Sequence, residues 1–166
     1  MMTDAVAKKD YKKLCLNLYI AYAASSVLQF SELTLLAGLI ILIAAYIMCE
    51  IKKWDAKDTP YASHMRWMSR TFWIGTGVIM PIAVVIATVL ILKLTNISSI
   101  TSAMKGDDPE AIMTGIQIYM EQNMKKVGLI TTLTMAPTVI WWLRRCWVGY
   151  KLAKDGKPVE NVMSWL

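Results

Sequence analysis

Four stretches of the chain run without a charged residue: Leu14–Ser31, Leu33–Cys49, Thr71–Leu92 and Val127–Leu143. A helix needs roughly 20 apolar residues to cross the hydrocarbon core of a bilayer, with about 17 as a lower limit. Backbone in lipid finds no water to bond, so each stretch is expected to close its own hydrogen bonds as a helix. The pattern predicts an all-α integral membrane four-helix bundle, with helices about 14–31, 33–49, 63–92 and 127–154. The whole chain, 1–166, reads as a single membrane domain.

The polar links differ in length. Ser31-Glu32, with Phe30, leaves room only for an antiparallel hairpin between the first two helices. Residues 50–62 make a charged link that ends at Thr59-Pro60, and Ser63 is a candidate cap for the third helix. The third link, residues 93–126, is much longer than a plain connector. Within it, Asp107-Asp108-Pro109-Glu110 is a helix start, with acids at the positive end of the dipole and proline in the first turn. Ile112, Ile116, Tyr119 and Met120 then recur at helical spacing, which predicts an additional amphipathic helix over about 109–124. It would lie on the outer membrane face and bend at Gly128 into helix four; the alternative is one extended rod. Pro81 and Pro137 fall in mid-span and predict kinks. After helix four, the helix is expected to continue to about Lys154 and stop at Gly156, with Pro158 beyond.

Lys8–Lys13 followed by an apolar segment and Ala21-Tyr22-Ala23 has the outline of a cleavable leader. The apolar part is short and holds Asn17, so it reads instead as the first membrane helix.

Charge fixes the expected orientation. The N-terminal segment, residues 50–70 and the tail hold Lys8, Lys9, Lys12, Lys13, Lys52, Lys53, Lys57, Arg66, Arg70, Arg144, Arg145, Lys151, Lys154 and Lys157. The other side holds Lys93, Lys105, Lys125 and Lys126, a division of 14 to 4. Positive charge marks the cytoplasmic side, so a multi-pass protein of the bacterial inner membrane with both termini cytoplasmic is expected. The same clustering accounts for the net charge of +6 without a nucleic-acid partner. Cys15, Cys49 and Cys146 are odd in number and sit near the same helix ends, so they are expected to be buried thiols rather than disulfides.

The segment PYASHMRWMSRTFW, residues 60–73, gathers the only histidine, two arginines and two tryptophans. At about 100° per residue His64, Met68, Thr71 and Gly75 share one face, and Arg66, Arg70 and Trp73 lie nearly opposite. His64 therefore cannot form a compact site with the arginines of its own helix. It has no neighbouring nucleophile and no second ligand, so the chain reads as non-enzymatic, without metal or cofactor. Arginine and tryptophan suit the headgroup layer. On helix four Trp141, Arg144, Val148 and Lys151 share a side with Arg145 beside it, while Trp142, Cys146, Gly149 and Ala153 make a packing side. His64, Arg66, Trp67, Arg70, Trp73, Trp141, Arg144 and Arg145 are thus the candidate collar for lipids, anionic ones included, or for a partner's carboxylate. Asp55 and Asp58 are the internal counter-ions within reach in sequence. Thr34/Gly38, Thr71/Gly75 and Ala83/Ala87 are small residues four apart that permit close helix approach.

Ser63-His64, Trp67 and Arg70-Thr71-Phe72-Trp73, together with Trp141–Arg144, Gly149 and Leu152, resemble the pattern of small bacterial inner-membrane proteins grouped with the Tic-twenty-like family. The likeness covers about residues 33–160 and implies a four-helix membrane fold, without implying an enzymatic activity. The residues and this likeness together predict an accessory, assembly or scaffold protein that packs against other membrane subunits, copies of itself and lipids. The competing expectation is a small oligomeric, translocon-like pore. With no acid, base or histidine inside the four stretches, a pore would need a lining from Asn17, Ser25, Gln29, Thr131, Thr132 and Thr134.

Overall fold

In the computed structural model the chain is all-α, and residues 2–29, 32–103 and 108–164 are described. The hairpin link at Phe30 and Ser31, and Asp107 of the acidic helix start, fall outside them. Helix α1 is Met2–Leu28, α2 Glu32–Asp55 and α3 Tyr61–Ile74. A π-helical turn, Gly75–Ile79, joins α3 to α4, Met80–Leu94. A short α5, Ser98–Ala103, precedes α6, Pro109–Lys154.

Among the described residues three helical runs are long and apolar enough to cross a membrane: Leu33–Asp55, Tyr61–Leu94 and Pro109–Lys154. The expected first span is not among them. Asn17, Tyr19, Tyr22, Ser25 and Ser26 dilute the apolar content of α1. Tyr19, Tyr22 and Ser25 are buried, so much of that polarity is turned inward. Ser25 and Ser26 return their hydroxyl protons to the carbonyls of Tyr22 and Ala23.

Two further expectations change. The amphipathic helix over 109–124 is not a separate element but the first part of α6, which runs unbroken for 46 residues through Gly128 and Pro137. A glycine inside a helix costs only about 1 kcal/mol, too little to end one flanked by good helix formers. Pro81 does not interrupt a regular helix; it occupies the first turn of α4, directly after the π turn. Its ring has no N–H for the carbonyl four residues back, and a wider turn ahead of it relieves that clash.

The chain forms two compact units, residues 1–78 with 139–166, and residues 79–138. In the first, α2 folds back along α1, and Thr34 Oγ1 donates to the Leu28 carbonyl. Gly38 allows this approach: a Cβ there would stand 3.1 Å from Leu28 Cβ and 3.2 Å from the Ser25 carbonyl oxygen. On α1 the buried stripe is Cys15, Leu18, Tyr19, Tyr22 and Ser25, at helical spacing. Leu42, Ala45 and Cys49 of α2 meet it, with Tyr61, Met65, Trp67 and Met68 of α3 and Trp142, Cys146 and Ala153 of α6. All three cysteines are free and buried. Two more glycines let aromatic rings in. A Cβ on Gly149 would lie 2.3 Å from the Tyr19 ring, and one on Gly75 2.2 Å from the Trp142 ring.

In the second unit the Thr95 and Tyr119 hydroxyls bond at 2.8 Å. Asn123 Nδ2 donates to the Tyr119 carbonyl at 3.0 Å and reaches that of Asn96 at 3.5 Å. Asp108 caps α6, its Oδ1 accepting the Glu110 N–H, with Pro109 in the first helical position as expected.

Candidate functional site

Helix α6 ends in a turn that sends the chain back. Gly156 has φ +69°, a left-handed conformation that glycine adopts without penalty. The Gly156 N–H donates to the Ala153 carbonyl and the Lys157 N–H to that of Leu152. This pair of bonds is the Schellman closure of a helix C-terminus. Residues beyond it lie on the first unit, with Val159 buried among the core residues.

What holds the tail is the polar set singled out in the sequence. His64 is fully buried, and its ring bridges two distant parts of the chain. Nε2 lies 2.8 Å from the Lys157 carbonyl oxygen, and Nδ1 lies 2.9 Å from the Tyr19 hydroxyl. A carbonyl only accepts, so the proton sits on Nε2, and in the neutral ring Nδ1 accepts from Tyr19. Every polar atom of the imidazole is then used. One residue earlier Ser63 Oγ accepts the Val159 N–H at 2.9 Å and donates to the Pro60 carbonyl at 2.7 Å. Ser63 is thus not the cap of α3, which begins at Tyr61; it is a tether for the tail.

Arg145 is the second anchor. It is 1% exposed, with its guanidinium carbon 3.5 Å from the Trp67 ring centroid and 5.2 Å from that of Trp141. Nε donates to Thr71 Oγ1 at 2.9 Å, and Nη1 donates to the Ser164 carbonyl at 2.7 Å. Thr71 passes its own proton to the Trp67 carbonyl. Two aromatic faces compensate part of the cost of burying the cation. Nη2 and Arg70 Nε are buried with no bonding partner among the described residues. Arg70 Nη1 points to Met163 Sδ, also on the tail.

The eight collar residues therefore separate. His64, Trp67 and Arg145 are buried, Trp141 and Arg70 are half-buried, and Arg66, Trp73 and Arg144 are exposed. The face shared by His64, Met68, Thr71 and Gly75 is buried throughout, so His64 does not belong to a lipid-facing collar. The packing side of α6 is buried as well: Trp142, Cys146, Gly149 and Ala153. Trp73 Nε1 donates to the Tyr46 hydroxyl at 3.1 Å. Among the described residues the ion pairs of the 50–62 link are made with lysines. Asp55 pairs with Lys52 at 2.8 Å, and Glu50 accepts from both Lys53 and Ser69.

Tyr19, Ser63 as a tether, Thr71 as the acceptor for Arg145, and the carbonyls of Lys157 and Ser164 were not singled out by the sequence. The available signal was indirect: a buried histidine and a buried arginine each require acceptors, and Gly156 with Pro158 turns the chain back towards them. Among the described residues no group of three or more His, Cys, Asp or Glu side chains is placed to hold a metal ion. Comparison with family models, with curated proteins and with solved structures found no match.

Proposed function

We propose that this is a non-enzymatic accessory, assembly or scaffold protein of a bacterial inner membrane, packing against other membrane subunits and lipids. Both termini lie in the cytoplasm in this reading, and α1 makes the fourth crossing. Kinship with the Tic-twenty-like proteins belongs to the same proposal and rests on the residue pattern in α3 and α6.

One observation carries it. The side chains best suited to chemistry, Tyr19 and His64, spend their hydrogen bonds on the chain itself, and Arg145 spends those of Nε and Nη1 there. The outward faces of α2 and α4 are apolar instead, with Leu36 70% and Val85 62% exposed. Such faces meet lipid tails or another membrane helix. Arg66, Trp73 and Arg144 remain available at the surface for headgroups or a partner's acid. The residues a pore lining would need are partly engaged: Ser25 and Thr134 hydroxyls are bonded to carbonyls of their own helices.

The test is photo-crosslinking in living cells from single positions, Leu36 and Val85. A discrete adduct with one membrane protein, formed from one helix face and not the other, is expected. Solute flux through vesicles containing the purified chain alone, abolished by changes at Thr131 and Thr132, would replace this reading with the pore.

A further inference from the structure

A groove of about 430 Å³ opens on the surface of the first unit between α1 and α6. Tyr19 and Ala23 on α1, with Leu143, Cys146, Trp147 and Tyr150 on α6, line it. Its walls are almost wholly apolar, and Trp147 is 58% exposed.

We propose that this groove holds one acyl chain of an anionic phospholipid, whose phosphate rests on a rim of lysines at one end. The two helices run in opposite directions here, since Tyr19 packs on Gly149 while Trp142 Nε1 donates to the Tyr22 carbonyl. Towards the end of the chain, the groove stripe of α6 continues into Lys151 and Lys154, one turn past Trp147 and Tyr150. The Lys151 ammonium already stands 4.8 Å from the Trp147 ring centroid, over the groove wall. On α1 the same end leads back through Leu16 to Lys12, four residues apart on one stripe. At 1.5 Å per residue, Lys12 lies about 10 Å from Tyr19, roughly one headgroup beyond the apolar lining. The opposite end continues into Val27 and Ile140, both exposed and apolar. A slot that is cationic at one end and greasy along its length complements an amphiphile with a negative head. Next to that end in sequence, on the two helices that line the groove, the acids are Asp10 and Asp155, both exposed. Asp10 is turned about 160° from Lys12 around the axis of α1, and Asp155 follows Lys154 at the helix end. A helix of a second copy or of a partner protein would fill the slot without needing the lysines.

This site uses none of the arginine collar, and it rests on the membrane reading but not on the accessory role. The full chain is stripped of lipid in detergent and titrated with dioleoylphosphatidylglycerol or dioleoylphosphatidylcholine, and bound lipids are counted by native mass spectrometry. One phosphatidylglycerol is retained preferentially. Changing Lys12, Lys151 and Lys154 to Gln weakens its retention by about fivefold per lysine and leaves phosphatidylcholine unaffected. Ala23→Trp, which fills the slot, removes the preferred lipid while all three lysines remain. Equal retention of the two lipids overturns the proposal. So does loss of the preference in Arg66→Gln/Arg144→Gln but not in the lysine variant, an outcome that leaves the collar and the proposed function standing. A disulfide formed between two copies carrying Ala23→Cys, in vesicles of the same lipids, would assign the slot to self-association instead.

Discussion

His64 has one neutral tautomer that suits both neighbours, and removing either neighbour strands a buried polar atom. A buried group left without its partner costs about 1–3 kcal/mol, more than the bond itself contributes. Tyr19→Phe and His64→Ala are each expected to lower stability in detergent by that amount. The double variant should lose less than the sum, because the shared bond is removed only once, with a coupling of about 0.5–3 kcal/mol. Additive losses would mean the contact contributes nothing. Arg145→Lys tests the second anchor. Lysine keeps the charge but cannot lie flat between Trp67 and Trp141 while donating to both Thr71 and Ser164. Limited proteolysis with a glutamate-specific protease should cut the tail after Glu160 much faster in this variant, and an unchanged cleavage rate would refute the anchor. That His64 shares a face with Met68, Thr71 and Gly75 was legible from helical spacing alone; that this face is buried, which takes His64 out of the collar, was not. The different fates of Arg144 and Arg145 were not: neighbours in sequence point 100° apart, and the ring that stacks on Arg145 comes from Trp67, 78 residues earlier.

At the scale of helices, glycine placement decides how closely rods approach. Gly149 and Gly128 make an opposed pair on the same helix. A methyl group at Gly149 would drive into the Tyr19 ring, so Gly149→Ala is expected to destabilise by about 1–3 kcal/mol. Nothing lies within 4 Å of a methyl group at Gly128. There the substitution should be neutral or stabilise by up to about 1 kcal/mol, since alanine is the better helix former. Thermal unfolding followed by circular dichroism separates them, and equal effects would contradict the close approach of α1 to α6. The small-residue pairs were readable because membrane helices pack through such residues. Thr34 and Gly38 lie at the α1–α2 approach, Gly75 lies against Trp142, and Ala83 and Ala87 are the buried positions of α4. The continuity of α6 was less readable. A glycine signals a joint only when something compels a bend there, and the sequence does not show what lies around Gly128. The end of α6 was legible because Gly156 supplies the left-handed turn; the docking of the residues beyond it was not, since polar chain after a cap looks the same free or bound.

For the molecule as a whole, the question is how often the chain crosses the bilayer. Hydropathy alone supports three crossings among the described residues, which would place the two ends on opposite sides. The four crossings proposed above rest on the hydrogen bonds of the first unit. Tyr19 bonds His64, and His64 bonds the Lys157 carbonyl, so the basic start of α1, the link before α3 and the tail gather at one end of that unit. A buried face that carries tyrosines and serines lowers the mean hydropathy of α1 without making its lipid-facing side polar. Ile20 and Val27 are 56% and 58% exposed. Single cysteines at Asp10, Asp58 and Glu160 should therefore all react with an impermeant maleimide from the cytoplasmic side, and one at Asp108 from the opposite side. The native Cys15, Cys49 and Cys146 are buried and should stay unlabelled until the protein is denatured, which makes each variant its own control. If Asp10→Cys reacts from the side opposite Asp58→Cys, α1 does not cross beside α3 as the Tyr19–His64 bond requires. The lysine rim of the groove would then be divided between two faces of the membrane, and the lipid site would fall with the four-crossing topology.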